Sequence, residues 1–225
     1  MTEGLPGKEN RIVILGAGGH GRGILEILRA DSERADLPCS VLGFLDDRDE
    51  LQAGTCGGLP ILGRMGEARR WANEGVRFLV GVGDPLVRRR VVRATEGLRF
   101  ATAVHPSATL YGDVTVGEGA VIAAGVVVAA ATLIGAHALL NLNATVGHDC
   151  HLDAFATVAP GSNLGGFVRL GEASFVGLNA TVVPGRTIGR EARLGPGSVL
   201  LEDLPDRRVA FGLPARVVDR VRSVD

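Results

Sequence analysis

From Val104 to Leu200 every sixth position of the chain is aliphatic: Val104, Leu110, Val116, Ile122, Val128, Ile134, Leu140, Val146, Leu152, Val158, Leu164, Leu170, Val176, Val182, Ile188, Leu194 and Leu200. Neither the 3.6-residue period of an amphipathic helix nor the two-residue alternation of a lone strand produces a strict six. Small residues recur four places after the aliphatic one, as at Ala120, Thr132, Ala138, Ala144, Cys150, Ala156, Ser162 and Ser174. Glycine often follows it directly, as at Gly117, Gly135, Gly147, Gly165, Gly171, Gly177 and Gly189. Period six is the signature of a hexapeptide-repeat parallel β-helix. Three hexads close one triangular coil, so residues eighteen apart stack above one another, and sequence distance becomes spatial position.

Upstream the pattern changes. Arg11 to Leu15 is a short apolar run that ends in Gly16-Ala17-Gly18-Gly19-His20-Gly21, and the residues from Gly23 to Ala30 have helical spacing. Val41 to Leu45 reads as a second strand, ending in Asp46-Asp47. Arg77 to Val82 reads as a third, followed by Gly83-Asp84-Pro85 and a helix through about Val91. Alternating strands and helices predict a small parallel α/β domain. The expected division is an α/β domain over residues 1–103 and a β-helix with a C-terminal tail over 104–225. After Leu200 the period fails, and Pro205, Gly212 and Pro214 predict a tail that leaves the coils as a loop with a short helix or hairpin. Flat coil faces and open ends need covering, which predicts a closed cyclic oligomer.

Composition narrows the partners. A formal net charge of −1 at pH 7 gives no electrostatic case for nucleic acid. The stretch from Ala120 to Leu140 lacks Asp, Glu, Lys and Arg and is long enough for a membrane helix. The sixfold pattern runs through it without a phase shift, which assigns it to the coils. Cys39, Cys56 and Cys150 are widely spaced, with no CxxC, as in a reduced cytoplasmic protein. The opening MTEGLPGKEN has no apolar stretch of the kind a signal peptide needs.

Two segments carry candidate chemistry. Gly16-x-Gly18-x-x-Gly21 follows a strand and opens a helix, where backbone N–H groups meet phosphates; Asp46 and Asp47 stand at the end of the next strand, within reach of a ribose or base. These features suit a nucleotide-linked substrate and an NAD cofactor alike. The second segment runs from Asn141 to Cys150 and holds His148 two residues after an inward-facing valine. A neutral imidazole there can serve as general base. Gly166 stacks directly above it, beside Gly165, leaving room for a thioester and an N–H for its carbonyl oxygen. Adjacent strand residues point to opposite sides, so orienting the imidazole through Asp149 requires a corner in the chain, or a carboxylate from another subunit. His20, His105, His137 and His151 form no trio with His148 at matching hexad offsets, so no metal site is expected.

Together these motifs resemble the bacterial sugar acyltransferases that join a small nucleotide-binding domain to a left-handed β-helix. They include sialic acid O-acetyltransferases and N-acetyltransferases acting on UDP- or GDP-linked amino sugars. The resemblance rests on GAGGHG at the first turn, GFLDD at the second strand, GVGD, VHPSA at the junction, GHDC in the coils and GLPAR in the tail. It implies a homotrimer with acetyl-CoA lying between adjacent β-helices. It implies His148 as base, Asp149 as its partner, and Gly165, Gly166, Pro184 and Arg216 as acetyl-CoA contacts. It also implies that Gly18, Gly19 and His20 approach the substrate diphosphate, that Asp46, with Asp47 beside it, reads the base, and that Asn141 meets substrate. Many such relatives carry a second histidine where this chain has Thr157. The alternatives to N-acetyl transfer are O-acetylation of a sugar or sialic acid hydroxyl, a non-catalytic nucleotide-sugar-binding trimer, and an NAD-binding module on a structural β-helix.

Overall fold

The computed structural model describes residues 11–32 and 39–221. The first ten residues, read above as lacking a signal peptide, lie outside the described residues. The chain divides into two compact units, residues 1–82 with 90–106, and residues 83–89 with 107–225.

The first unit is an α/β sheet. It contains β1 (Arg11–Leu15), α1 (Gly19–Ser32), β2 (Ser40–Leu45), β3 (Thr55–Cys56), β4 (Leu59–Gly63), α2 (Ala68–Ala72) and β5 (Arg77–Val80). A third helix, α3 (Pro85–Ala94), contributes its residues from Arg90 onward. The sheet order is β3-β4-β2-β1-β5; all neighbours are parallel except the β3–β4 pair. Val13, Leu15, Leu45, Phe78 and Val80 are buried in one cluster, with Met65, Trp71 and Val91 packed against it. β3, β4 and α2 were not foreseen. They are short, and Gly54, Gly57, Gly58 and Pro60 break the apolar pattern by which strands are recognised.

Three glycines set the loop after β1. Gly16 has φ +105°, a conformation open to glycine. A Cβ on Gly21 would lie 2.0 Å from the Gly16 carbonyl oxygen, and one on Gly81 would lie 2.4 Å from the same atom. The helix therefore packs against the loop that precedes it only because both positions lack side chains.

The second unit is the parallel β-helix. Two-residue strands pair with those eighteen residues away, as Thr145↔Asn163, His151↔Arg169 and Thr157↔Phe175 do on its three faces. The aliphatic series from Ile122 to Leu200 points inward and is at most 4% exposed at each position. Leu110 and Val116 are only half-buried, because the first coil has another coil on one side alone. The stretch from Ala120 to Leu140 consists of such strands; among the described residues no helix is long and apolar enough to cross a membrane. The tail forms a hairpin, Arg208–Gly212 antiparallel to Ala215–Arg220, and its first strand pairs with Arg193–Leu194. Phe211 lies over Gly195, where a Cβ would meet its ring at 1.9 Å.

Residues 83–89 belong with the coils. Arg88 is 2% exposed and donates to the carbonyls of His137 (2.9 Å), Phe155 (2.8 Å) and Gly83 (2.9 Å) and to Thr157 Oγ1 (2.7 Å). Arg89 bridges Glu172 and Glu191, and Asp84 pairs with Arg193 at 2.7 Å. Burial lowers the Arg88 pKa to about 10, so the guanidinium stays charged and the surrounding oxygens stabilise it.

Candidate active site

His148 and Asp149 lie at a corner of the coil, and the corner resolves the alternation problem. Asp149 has φ +57°, a left-handed conformation that Asp adopts more readily than most residues. The backbone turn brings both side chains to the same side, with His148 Nδ1 2.7 Å from Asp149 Oδ2. An ionised carboxylate only accepts, so the proton resides on Nδ1 and the Nε2 lone pair is left available. Both side chains are about half exposed, at 56% and 45%.

Gly166 sits directly above His148. A Cβ there would lie 2.7 Å from Nε2 and 2.8 Å from Cε1, so the ring occupies the space a side chain would need. The Gly166 carbonyl accepts from Gly185 N at 2.8 Å, while its N–H has no acceptor among the described residues. Pro184 packs on Gly165, where a Cβ would meet the proline nitrogen at 2.6 Å. His148, Asp149, Gly165, Gly166 and Pro184 are thus neighbours at one corner. Phe167 was missed: its ring meets His148 edge to face at 5.0 Å, and it is 56% exposed. The signal was present, since Phe167 is eighteen residues beyond Asp149 and must stack on it.

Two expected residues are elsewhere. Asn141 is at the opposite corner of the same face, so roughly 15 Å of strand separates it from His148 within one chain. Its Oδ1 accepts from Leu142 N at 2.8 Å. Arg216 is on the exposed tail hairpin. Thr157 is 2% exposed and engaged by Arg88, so it presents no group to solvent.

In the first unit, Gly18 caps α1 through its carbonyl, which accepts from Arg22 N at 3.1 Å. The first turn of α1 carries no acidic residue, leaving its N–H groups and positive dipole end for an anion. A Cβ on Gly18 would meet nothing within 4 Å, and one on Gly19 only the tip of Arg22. His20 follows, half-buried in the first turn.

Asp46 is engaged by groups of the protein itself. It is 5% exposed; Oδ2 accepts from Ala17 N (2.7 Å) and Arg48 Nη2 (2.8 Å), and Oδ1 from Arg48 N (3.1 Å) and Nε (2.9 Å). All four acceptor positions of the carboxylate are occupied. Asp46 pins the glycine loop and Arg48, and no lone pair is left for a base. These bonds, led by Arg48, hold its pKa near 2 against an ordinary 3.8. A lowered pKa adds stability that is present above pH 4 and lost as pH falls from about 4 to about 2. Asp46→Asn is expected to flatten the acid limb of the stability curve over that window, which urea titrations at a series of pH values would measure.

Among the described residues no group of three or more His, Cys, Asp or Glu side chains is placed to hold a metal ion.

Comparisons with known proteins agree with this architecture. The PglD N-terminal domain family matches residues 11–95, and the family described as the hexapeptide repeat of succinyl-transferase matches 113–130 and 167–202. The structure of PerB from Caulobacter crescentus, with CoA and GDP-perosamine, is 35% identical, covers 92% of this chain and 97% of its own, and has a TM-score of 0.84. The acetyltransferase domain of PglB from Neisseria gonorrhoeae FA1090, with acetyl coenzyme A, is 32% identical, covers 93% and 100%, and has a TM-score of 0.85. GDP-perosamine N-acetyltransferase of Escherichia coli O157:H7 is 28% identical over 174 residues, covering 74% of this chain and 75% of that one.

Proposed function

The chain belongs to the sugar acetyltransferases that join a PglD-type α/β domain to a left-handed hexapeptide β-helix, and we propose that it transfers the acetyl group of acetyl-CoA to the amine of a nucleotide-linked amino sugar. The observation that carries this reading is the corner where His148, oriented by Asp149, packs directly beneath Gly166. In a ternary complex the neutral amine attacks the thioester carbonyl while His148 Nε2 takes its proton. The Gly166 N–H stabilises the oxygen that gains negative charge, and His148 passes the proton it took to the departing sulfur, so that CoA leaves as the thiol. Gly165 and Pro184 form the wall along which the pantetheine arm runs, and Arg216 supplies positive charge for its phosphates. Because the amine must arrive neutral, activity falls at acid pH.

The relatives solved with GDP-perosamine and with CoA or acetyl-CoA support both ligands. Asn141 supports a shared site: too far from His148 in its own chain, it can meet substrate at His148 of a second chain. Leu142 and Leu178, 49% and 51% exposed and spaced with Pro160 along the same corner, form an apolar ridge that a neighbouring coil would cover. A cyclic homotrimer satisfies both observations.

Gly18→Val tests the nucleotide end. A Cβ there meets nothing within 4 Å, so the fold should survive while the branched group blocks backbone approach to the diphosphate. Calorimetry is expected to show loss of nucleotide-sugar binding with acetyl-CoA affinity nearly unchanged. Equal loss of both ligands would refute the assignment. Release of free CoA thiol, measured with UDP- and GDP-linked amino sugars, sialic acid and NAD as separate additions, tests the reaction. Release with a nucleotide-linked amino sugar supports it, and release with sialic acid alone moves the assignment to O-acetylation.

A further inference from the structure

The corner column that contains Asp149 reads Ala131, Asp149, Phe167 and Gly185, one residue per coil. All four have a left-handed backbone, with φ between +54° and +74°. Alanine, aspartate and glycine are small, whereas a bulky side chain in that region of φ is an outlier. Phe167 is also 56% exposed, so burial does not offset its conformation. Phe155 makes the contrast. It has φ +63° but is half-buried, lies parallel to His137 with ring centroids 5.1 Å apart, and its carbonyl accepts from Arg88. Packing accounts for Phe155 and does not account for Phe167. The ring of Phe167 instead meets that of His148, with centroids 5.0 Å apart and planes at 86°. Backbone strain of this kind collects at active sites, where it is offset by what the residue does there.

We propose that Phe167 is a positioning residue, holding the imidazole of His148 in the orientation from which Nε2 takes the proton of the substrate amine. This role rests on the base function given to His148 above. The contact with Asp149 fixes Nδ1 at 2.7 Å. Both partners are about half exposed, so water competes for that bond, and the ring can still swing about it. Gly166 bounds the ring on the side of Nε2 and Cε1. Phe167 N donates to the His148 carbonyl at 2.8 Å, which ties the backbone of Phe167 to that of the base one coil below. Perpendicular aromatic pairs attract beyond their contact area, because the positive edge of one ring meets the negative face of the other. An anchor at Nδ1 and a second ring set across the imidazole define its place and its tilt together. Proton transfer within the reacting complex depends on both.

Phe167→Asn tests this, because asparagine already holds the same left-handed corner conformation at Asn143 (φ +56°) and Asn179 (φ +53°). The variant should unfold at a Tm equal to or above that of wild type. Its kcat should fall about 3- to 10-fold, the fraction of aligned imidazole lost with one edge-to-face pair. The KM values for acetyl-CoA and for the nucleotide-linked amino sugar should not change, and Phe167→Tyr should restore the rate. In a His148→Ala background Phe167→Asn should have no further effect, since no imidazole is left to position. An unchanged kcat in Phe167→Asn would overturn the inference. So would an equal fall in both backgrounds or a raised acetyl-CoA KM, either of which places the ring against substrate. A Tm that falls in step with the rate would make Phe167 structural and overturn it as well. If His148→Ala itself keeps the wild-type rate, the base assignment fails, and the role of Phe167 fails with it.

Discussion

Replacing His148 with alanine is expected to lower kcat by about 10²- to 10⁴-fold, the range for removing a general base whose proton transfer occurs in the transition state. Thermal stability should change little. The side chain is half exposed and points away from the core, and its Nδ1 partner, Asp149, is itself open to water. Asp149→Asn should cost less than His148→Ala, because an amide still accepts from Nδ1–H but no longer stabilises the imidazolium that forms. Steady-state rates at saturating concentrations of both substrates, at two pH values, give the answer. An unchanged rate for His148→Ala would remove it from the mechanism and leave substrate positioning as the main source of catalysis.

Leu152→Ala is expected to cost about 2–5 kcal/mol of stability. Leu152 is 0% exposed and stacks between Ile134 and Leu170, each at most 2% exposed. The narrow coil has no flexible neighbour able to fill the cavity, since Ala156, Cys150 and glycines line the same turns. Denaturant unfolding monitored by circular dichroism would measure the loss. Leu142→Ala is the contrasting case: exposed on the corner ridge, it should leave coil stability within about 0.5 kcal/mol. Its loss should instead weaken assembly, shifting the mass found by light scattering below that of a trimer.

These two leucines show why so much of the coil was legible. In a β-helix the inward set is fixed by a strict period, and stacking at eighteen residues follows from closure of a triangle, so Leu152 could be placed without any tertiary contact. The same rule put Gly166 above His148. It did not give the left-handed backbone at Asp149, because φ at a corner depends on how three strands close and not on the identity of one residue. The docking of residues 83–89 was hidden for a different reason. Arg88 and Arg89 read as ordinary charges on a helix, and only the folded chain brings carbonyls from His137 and Phe155 around one guanidinium. In the first unit the Gly16 to Gly21 motif and the ends of β1 and β2 were plain from apolar runs. The internal bonds of Asp46 were not legible because a carboxylate beside a glycine loop has two possible partners, a ligand or the loop itself. Ala17 N and the neighbouring Arg48 take it.

Transfer of the acetyl group to the amine of a nucleotide-linked sugar leaves a product that can be read directly. The most direct measurement is an NMR spectrum of the product after incubation of the protein with acetyl-CoA and a nucleotide-linked amino sugar. The expected spectrum shows a new amide N–H coupled to the sugar ring proton at the former amine carbon, formed in step with CoA release and absent when His148→Ala replaces wild type over the same interval. An acetyl ester on a ring hydroxyl, or CoA release with the sugar unchanged, would contradict it.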